Sequence, residues 1–350
     1  MRVTDRIADL DPSSMPRVDL APLLAGNGID AVAREIDTAC REFGFFTVVN
    51  HGVDPALCSR VADLAREFFA LPEAEKARVA MIHGGRAWRG WFPLHGELTS
   101  GAPDHKEGYY FGRALDPADA RVAAGLPLHG PNLWPETPSA LRPVLTEYLS
   151  ALESVGRNLV RAISMGLGLG PDTLTNNWFQ DPVILLRLFH YPPPIHGAPD
   201  HGAPNRGVGE HTDYGFLTML WQDQEGGLEV RTDTGWVPVA PEPEVFVCNI
   251  GYMLERLTAG RYRSTPHRVR SPHDRDRISI PFFFDPDWDA PIGALPIPGS
   301  AVPVPTKRWD DADVHAVDST YGAYLLGKVA KVFPDLGATM LNDSSVDPPG

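Results

Sequence analysis

The chain of 350 residues has little cysteine, a deficit of positive charge and no long apolar run. Its three cysteines, Cys40, Cys58 and Cys248, are scattered and form no Cys-x-x-Cys pair, which argues against a disulfide framework. No apolar run reaches the roughly 18–20 residues that cross a bilayer, so we expect no membrane span. The first residues carry charges where a secretory signal would be apolar, and we therefore expect a cytoplasmic protein.

Acidic side chains outnumber basic ones by 45 to 31, which gives a formal net charge of −14. Nucleic acids and anionic membranes attract proteins through surplus Lys and Arg, so the composition argues against both as partners. About 43% of the residues are hydrophobic and 22% are charged, the balance of an ordinary globular protein. We expect a small-molecule partner, and the composition leaves the oligomeric state open.

The pattern of apolar residues predicts a mainly β protein with flanking helices. Residues 15–135 alternate between strand and helix and are expected to form an N-terminal α/β lobe. Residues 181–286 contain short strands separated by turn residues, which favours a sandwich, jelly roll or barrel. Helical spacing predicts supporting helices within 138–170 and 319–333. Residues 336–350 are rich in Pro, Gly, Ser and Asp and are expected to form a flexible tail.

One short motif carries metal chemistry. His211 and Asp213 are two residues apart, and on a strand such side chains project from the same face. An imidazole and a carboxylate are two of the three ligands of a facial triad for non-haem Fe(II). Alone the motif is weak, because a chain with 12 histidines can contain it as a capped turn or surface ion pair. The third ligand must come from a distant strand, and His267 is the candidate; these three residues are called the triad below.

A second pair of polar residues follows the triad. Arg277 and Ser279 lie ten and twelve residues after His267 and share one face of a predicted strand. An Arg guanidinium binds a carboxylate through two parallel hydrogen bonds, and a neighbouring hydroxyl adds one more donor. A metal triad beside a carboxylate receptor fits 2-oxoglutarate, whose keto-acid end supplies two metal ligands and whose far carboxylate needs a cation.

Further motifs occur in a fixed order along most of the chain. The N-terminal ones are 16–20 (PRVDL), 44–53 (GFFTVVNHGV) and 106–112 (KEGYYFG). The later ones are 188–193 (LFHYPP), the HxD motif, 254–257 (LERL), 261–269 (RYRSTPHRV) and 277–284 (RISIPFFF). In this order and spacing they resemble the isopenicillin N synthase-like branch of the 2-oxoglutarate/Fe(II)-dependent oxygenases.

The resemblance implies a double-stranded β-helix, or jelly roll, with iron at its open mouth and the N-terminal lobe beside it. It implies that the triad ligates Fe(II), that Arg277 and Ser279 hold the distal carboxylate of 2-oxoglutarate, and that Tyr191 donates to the same group. The implied reaction oxidises an unactivated C–H bond of a small organic molecule with O2, by hydroxylation, desaturation or ring formation. Succinate and CO2 are released, ascorbate is a useful assay additive, and secondary metabolism is the expected setting.

Two alternatives remain open. One is an iron oxidase of the same fold that does not use 2-oxoglutarate, because some relatives have this iron site without that cosubstrate. The other is a catalytically silent jelly-roll protein that binds a small molecule or a partner. One departure concerns the cofactor: many plant members have Asn two residues before the strand-end Tyr, and this chain has Phe189.

Four residues are candidates for contacting the substrate. Arg187 interrupts an apolar run and shares a strand face with Tyr191, so it either grips a polar substrate or pairs with an internal carboxylate. Phe283 lies on the face of Arg277 and Ser279 by strand alternation and can pack against substrate or core. Phe216, near the triad, and Trp91, in the N-terminal lobe, are further candidates for the pocket wall.

Overall fold

The computed structural model of the protein describes residues 15–193, 206–271, 274–299, 319–334 and 337. The strands, in chain order, are β1 (Arg17–Asp19), β2 (Phe45–Val49), β3 (Gly90–Phe92), β4 (Glu107–Gly112), β5 (Pro182–Tyr191), β6 (Arg206–His211), β7 (Leu217–Gln222), β8 (Leu228–Thr232), β9 (Gly235–Pro238), β10 (Phe246–Ile250), β11 (His267–Arg270) and β12 (Arg277–Asp287). The α-helices are α1 (Ala21–Leu24), α2 (Ile29–Glu42), α3 (Pro55–Phe69), α4 (Glu73–Lys76), α5 (Ala120–Ala123), α6 (Leu141–Gly166), α7 (Thr173–Asn177), α8 (Tyr252–Leu257) and α9 (Tyr321–Val332). The expected tail, 336–350, lies outside the described residues apart from Gly337.

The strands of the described residues form two sheets. The larger has eight strands in the order β1-β2-β10-β7-β12-β5-β4-β3, and the smaller has four in the order β6-β11-β8-β9. All pairings are antiparallel except that of β1 with β2. This arrangement, with helices around it, confirms the predicted jelly-roll core with an N-terminal α/β region.

The N-terminal strands continue the large sheet of the core. Strand β2 pairs with β10, with Val48 opposite Phe246, and β4 pairs with β5, with Tyr110 opposite Arg187. The N-terminal lobe therefore contributes both edges of the sheet that contains β5, β7 and β12. This places residues of β4 and its preceding loop beside the mouth of the core.

Helix α6 packs on the sheet through a close approach that its sequence permits. A Cβ atom on Gly156 would lie 2.8 Å from the ring of Phe284 in β12, so glycine is needed at this crossing.

Helix α3 begins at Pro55 after Asp54, whose carboxylate accepts from the backbone N–H of Ala56 at 2.9 Å. None of the helices in the described ranges is both long and apolar enough to span a membrane.

Candidate functional site

The two histidines of the triad face each other across neighbouring strands. His211 ends β6 and His267 begins β11, and the two residues are direct partners in the antiparallel pairing. Each imidazole bonds through Nδ1 to a carbonyl two residues earlier: His211 to Gly209 at 2.8 Å, and His267 to Thr265 at 3.3 Å. These bonds orient both rings and leave both Nε2 atoms free to ligate a metal.

Asp213 is placed by hydrogen bonds and not by strand alternation, because β6 ends two residues before it. Its Oδ2 accepts from the hydroxyl of Thr218 at 2.5 Å and from the amide of Asn249 at 2.7 Å. Its Oδ1 is left 3.8 Å from Nε2 of His211 and 3.8 Å from Nε2 of His267. The candidate ligand atoms of the triad all lie within 4.8 Å of one another, a spacing that one ion can bridge.

The electrostatics of the triad favour its metal-binding protonation state. Burial lowers the pKa of both His211 and His267, so the imidazoles are held neutral. Burial alone would raise the pKa of Asp213, but the positive charge that either imidazole carries when protonated, together with the bonds from Asn249 and Thr218, outweighs burial and lowers that pKa. Two neutral imidazoles and one carboxylate are the donor set of a non-haem Fe(II) centre.

Arg277 is fully buried, with 0% of its surface exposed, and its charge has no carboxylate partner among the described residues. Its Nε donates to the carbonyl of Gly226, and its guanidinium lies over the ring of Tyr191, with 4.6 Å to the ring centre. Neither Nη1 nor Nη2 has an acceptor in the described part of the chain. Buried donors without acceptors are costly, and a bidentate carboxylate would satisfy both.

The triad, Arg277 and Ser279 line the same cavity. Its wall includes all three triad residues together with Arg277, Ser279 and Tyr191. Ser279 is 2% exposed and follows Arg277 on the same face of β12. The structure therefore brings together every residue that the sequence assigned to iron and 2-oxoglutarate.

Known proteins match the chain over nearly its whole length. A family model described as non-haem dioxygenase in morphine synthesis N-terminal matches residues 15–137, and one described as 2OG-Fe(II) oxygenase superfamily matches residues 182–286. A Dictyostelium discoideum protein named a probable iron/ascorbate oxidoreductase is 37% identical over 97% of this chain and 100% of its own length. The chain belongs to the 2OG-Fe(II) oxygenase superfamily.

Other members of the superfamily match at similar levels. A 1-aminocyclopropane-1-carboxylate oxidase of Dictyostelium discoideum is 34% identical, over 93% of this chain and 97% of its own length. A homoarginine-6-hydroxylase of Glycine max is also 34% identical, over 93% of this chain and 99% of its own length. The crystal structure of a full-length Neurospora crassa protein in complex with alpha-KG superposes with a TM-score of 0.75 at 26% identity, covering 93% of this chain and 98% of that one. This oxygenase accordingly uses Fe(II) and 2-oxoglutarate.

Two of the four residues expected at the substrate line the cavity of this oxygenase. Arg187 and Phe283 are part of its wall, and the guanidinium of Arg187 stacks on the ring of Phe283 at 4.5 Å. Arg187 also meets an internal carboxylate, because its Nη1 lies 3.5 Å from Oε1 of Glu97. The position of Arg187 is thus compatible with both interpretations of the sequence, contact with a polar substrate and pairing with an internal carboxylate.

The structure places Phe216 and Trp91 away from the cavity wall. Phe216 is fully buried against Phe179, with 4.8 Å between ring centres. Trp91 donates its indole N–H to Glu107 at 2.8 Å, and its cross-strand partner in β4 is Tyr109. Strand alternation explains the result for Trp91, because Tyr109 packs against Phe68 of α3, on the opposite side of the sheet from the cavity.

Sequence reasoning missed several polar residues around the site. Asn249, which supports Asp213, is a polar residue inside the otherwise apolar strand β10, and that interruption is a signal that could have found it. Glu97 and Lys106 also line the cavity, and both are 2% exposed. Burial alone would raise the pKa of Glu97, but Lys106 and Arg187 outweigh it and keep the carboxylate ionised. Glu97 lies in the loop between β3 and β4, and no periodic pattern in a loop predicts which way a side chain points.

Proposed function

We propose that the protein is a dioxygenase that oxidises an unactivated C–H bond of a small organic molecule, with succinate and CO2 as the products from 2-oxoglutarate. The observation that carries this proposal is the shared cavity of the triad and Arg277. Both terminal NH2 groups of the buried guanidinium lack acceptors among the described residues, and they share the cavity with three oriented candidate ligands. A metal-chelating keto acid with a second carboxylate fits both features at once.

The residues of the cavity have separate tasks in this proposal. The triad holds Fe(II), with Asn249 and Thr218 fixing which oxygen of Asp213 faces the metal. Bound Fe(II) supplies the activation of O2 that is coupled to oxidative decarboxylation of the keto acid. Arg277 and Ser279 bind the distal carboxylate of 2-oxoglutarate, and the ring of Tyr191 holds the guanidinium in place.

The remaining cavity wall holds and orients the substrate. Phe189, Phe283 and Val332 supply apolar surface, and Arg187 supplies a charged group. These residues exclude water around the reacting C–H bond, which favours transfer to the bound molecule over side reactions. Two similar proteins have names that denote amino acid substrates, homoarginine and 1-aminocyclopropane-1-carboxylate, which supports a small polar molecule as the substrate here.

The alternative that the sequence left open is an oxidase that takes all its electrons from the substrate and does not use 2-oxoglutarate. The 34% identity to a protein named 1-aminocyclopropane-1-carboxylate oxidase is the one observation on its side. The Nη1 and Nη2 atoms of Arg277, which have no acceptor among the described residues, favour 2-oxoglutarate, because its distal carboxylate supplies acceptors for both. A silent binding protein has no need for three oriented metal ligands.

Oxygen uptake with purified protein tests these alternatives. With Fe(II), ascorbate and a pool of small-molecule candidates, uptake should require added 2-oxoglutarate and should yield succinate. His211→Ala should abolish succinate formation, whereas His83→Ala, an exposed histidine outside the cavity, should retain it. Uptake without keto acid would favour the oxidase, and wild-type succinate formation by His211→Ala would contradict the assigned iron site.

A further inference from the structure

Two buried side chains of opposite charge form part of the cavity wall beside the triad. They are Arg187 of β5 and Glu97 of the loop before β4, and they are called the Arg187–Glu97 pair below. The guanidinium of Arg187 stacks between the rings of Tyr110 at 4.2 Å and Phe283 at 4.5 Å. Its Nη2 donates at 2.8 Å to the hydroxyl of Tyr214, the residue that follows Asp213. These contacts hold the guanidinium in place on the wall of the cavity that the triad also lines.

The hydrogen-bonding capacity of the pair is only partly used. A guanidinium has five N–H donors, and Arg187 directs them to Tyr214 and, over a long 3.5 Å, to Glu97. Its Nε is buried without an acceptor among the described residues. Glu97 has room for four donors; its Oε1 accepts from Tyr110 and Arg187, whereas its Oε2 lies 2.9 Å from the ammonium of Lys106 and has no hydrogen-bond donor among the described residues. Arg187 thus has spare donors, and Glu97 has a spare acceptor position.

Lys106 differs from the pair because other groups hold its ammonium. It donates to Asp104 at 2.6 Å and to Thr99 at 3.2 Å, and it forms an ion pair with Oε2 of Glu97 at 2.9 Å. Lys106 therefore holds Glu97 in place, and its own charge is offset by Asp104, which it contacts at the shorter distance. The groups that remain available to a ligand are a cation, Arg187, and an anion, Glu97.

This combination selects for a ligand that carries both charges. A ligand with only a negative charge would be attracted by Arg187 but repelled by Glu97. A ligand with only a positive charge would be attracted by Glu97 but repelled by Arg187. A carboxylate next to an ammonium complements both groups at once, with the carboxylate on Arg187 and the ammonium on Glu97. We infer that the Arg187–Glu97 pair binds the α-carboxylate and α-ammonium of a free amino acid substrate. This inference rests on the proposed function, because it assigns the substrate of that same site.

The rest of the cavity provides an apolar surface for the side chain of such a substrate. Apolar residues, Phe189, Val208, Phe283 and Val332, line the cavity together with the pair and the triad. With its head group on the pair, the amino acid places its side chain against this apolar surface, in the same cavity as the triad.

The test is a binding experiment on the full chain loaded anaerobically with Fe(II) and 2-oxoglutarate, read as a change in the visible charge-transfer band. The probes are pooled L-amino acids and their one-carbon homologues, compared with the same pools as N-acetyl derivatives and as carboxamides. We expect the free amino acids to bind at least about tenfold more tightly than either derivative, because each derivative removes one of the two charges. Equal binding of the N-acetyl pool or of the carboxamide pool would overturn the inference.

Variants separate the role of Glu97 from a merely structural one. Glu97→Gln should reduce the preference for free over N-acetyl amino acids, while the 2-oxoglutarate band persists. Glu107→Gln is the matched control, since Glu107 is a buried carboxylate that bonds a lysine at 2.7 Å but does not line the cavity. If Glu97→Gln fails to fold, Arg187→Lys replaces it and should weaken amino acid binding.

The outcomes distinguish this inference from the proposed function. A charge-transfer band with no binding by any amino acid pool would refute the inference and leave the proposed function standing. Absence of the band itself would refute both. Unchanged selectivity in folded Glu97→Gln would show that the carboxylate does not contact the substrate.

Discussion

Replacing Arg277 with methionine should weaken the binding of 2-oxoglutarate without lowering the stability of the cofactor-free protein. The substitution removes both N–H groups that have no acceptor in the described chain. Hydrogen bonds to charged groups contribute about 1.5–3 kcal/mol each, so losing two should cost at least about 3 kcal/mol of 2-oxoglutarate binding. That figure corresponds to a roughly 100-fold higher Kd. Calorimetric titration of the Fe(II)-loaded protein without oxygen measures it.

The same substitution should not lower the free energy of unfolding of the cofactor-free protein. The wild type buries an arginine that is 0% exposed and whose Nη atoms have no acceptor within the described ranges, and such unsatisfied donors cost about 1–3 kcal/mol. Methionine fills much of the same volume without that cost. We therefore expect the unfolding free energy of Arg277→Met, measured in urea, to be unchanged or about 1 kcal/mol higher.

Arg89→Met is the matched control. Arg89 is also buried, but its Nη atoms donate to the carbonyls of Arg113 at 2.7 Å, Gly130 at 2.8 Å and Leu128 at 3.1 Å. Removing it leaves those acceptors unpaired, so we expect a loss of about 3 kcal/mol in stability and unchanged 2-oxoglutarate affinity. The assignment of Arg277 as the group that binds the distal carboxylate would be refuted by two results together. These are wild-type affinity of Arg277→Met for 2-oxoglutarate and a loss of stability as large as that of Arg89→Met.

Three further predictions follow from particular contacts. Asn249→Leu should weaken Fe(II) affinity by about 10–100-fold in a metal titration, because it removes a donor that orients Asp213; unchanged affinity would contradict this. His190 has a raised pKa, because bonds to its two carboxylate partners outweigh burial, so its contribution to stability is fully present below pH 6.5 and is lost as the pH rises through its folded pKa. In urea unfolding, His190→Asn should lack the decrease in unfolding free energy with rising pH that His190 causes. A pH profile identical to that of the wild type would contradict this role of His190. Phe283→Ala should raise the substrate KM, whereas Trp91→Phe should leave it unchanged, in steady-state kinetics.

Short apolar strands separated by turn residues predict an antiparallel β core but leave a sandwich, a jelly roll and a barrel open. The resemblance to the oxygenases, carried by motifs along most of the chain, selected the jelly roll and gave the His-x-Asp motif and His267 their role as a facial triad. Strand alternation also placed Arg277, Ser279 and Tyr191 on faces that the structure brings into one cavity. These features are local or periodic, so a linear pattern contains them.

The parts that could not be predicted depend on tertiary packing. Asp213 lies beyond the end of its strand, and its orientation comes from Asn249 on β10, 36 residues away. Glu97 meets Arg187 only because β4 joins β5 in the large sheet. Phe216 is near the triad in sequence, yet it packs against Phe179 in the core. The polar interruption of β10 marks Asn249 as unusual, but the spacing of residues along the chain does not predict which residues meet in these contacts.

The most direct test of the central claim is anomalous diffraction at the iron edge from anaerobic crystals of the protein with Fe(II) and 2-oxoglutarate. The account predicts one strong peak in contact with Nε2 of His211, Oδ1 of Asp213 and Nε2 of His267. It also predicts that a carboxylate of the keto acid accepts from both Nη atoms of Arg277. An iron peak on other residues, or a keto acid whose carboxylates do not reach Arg277, would contradict it.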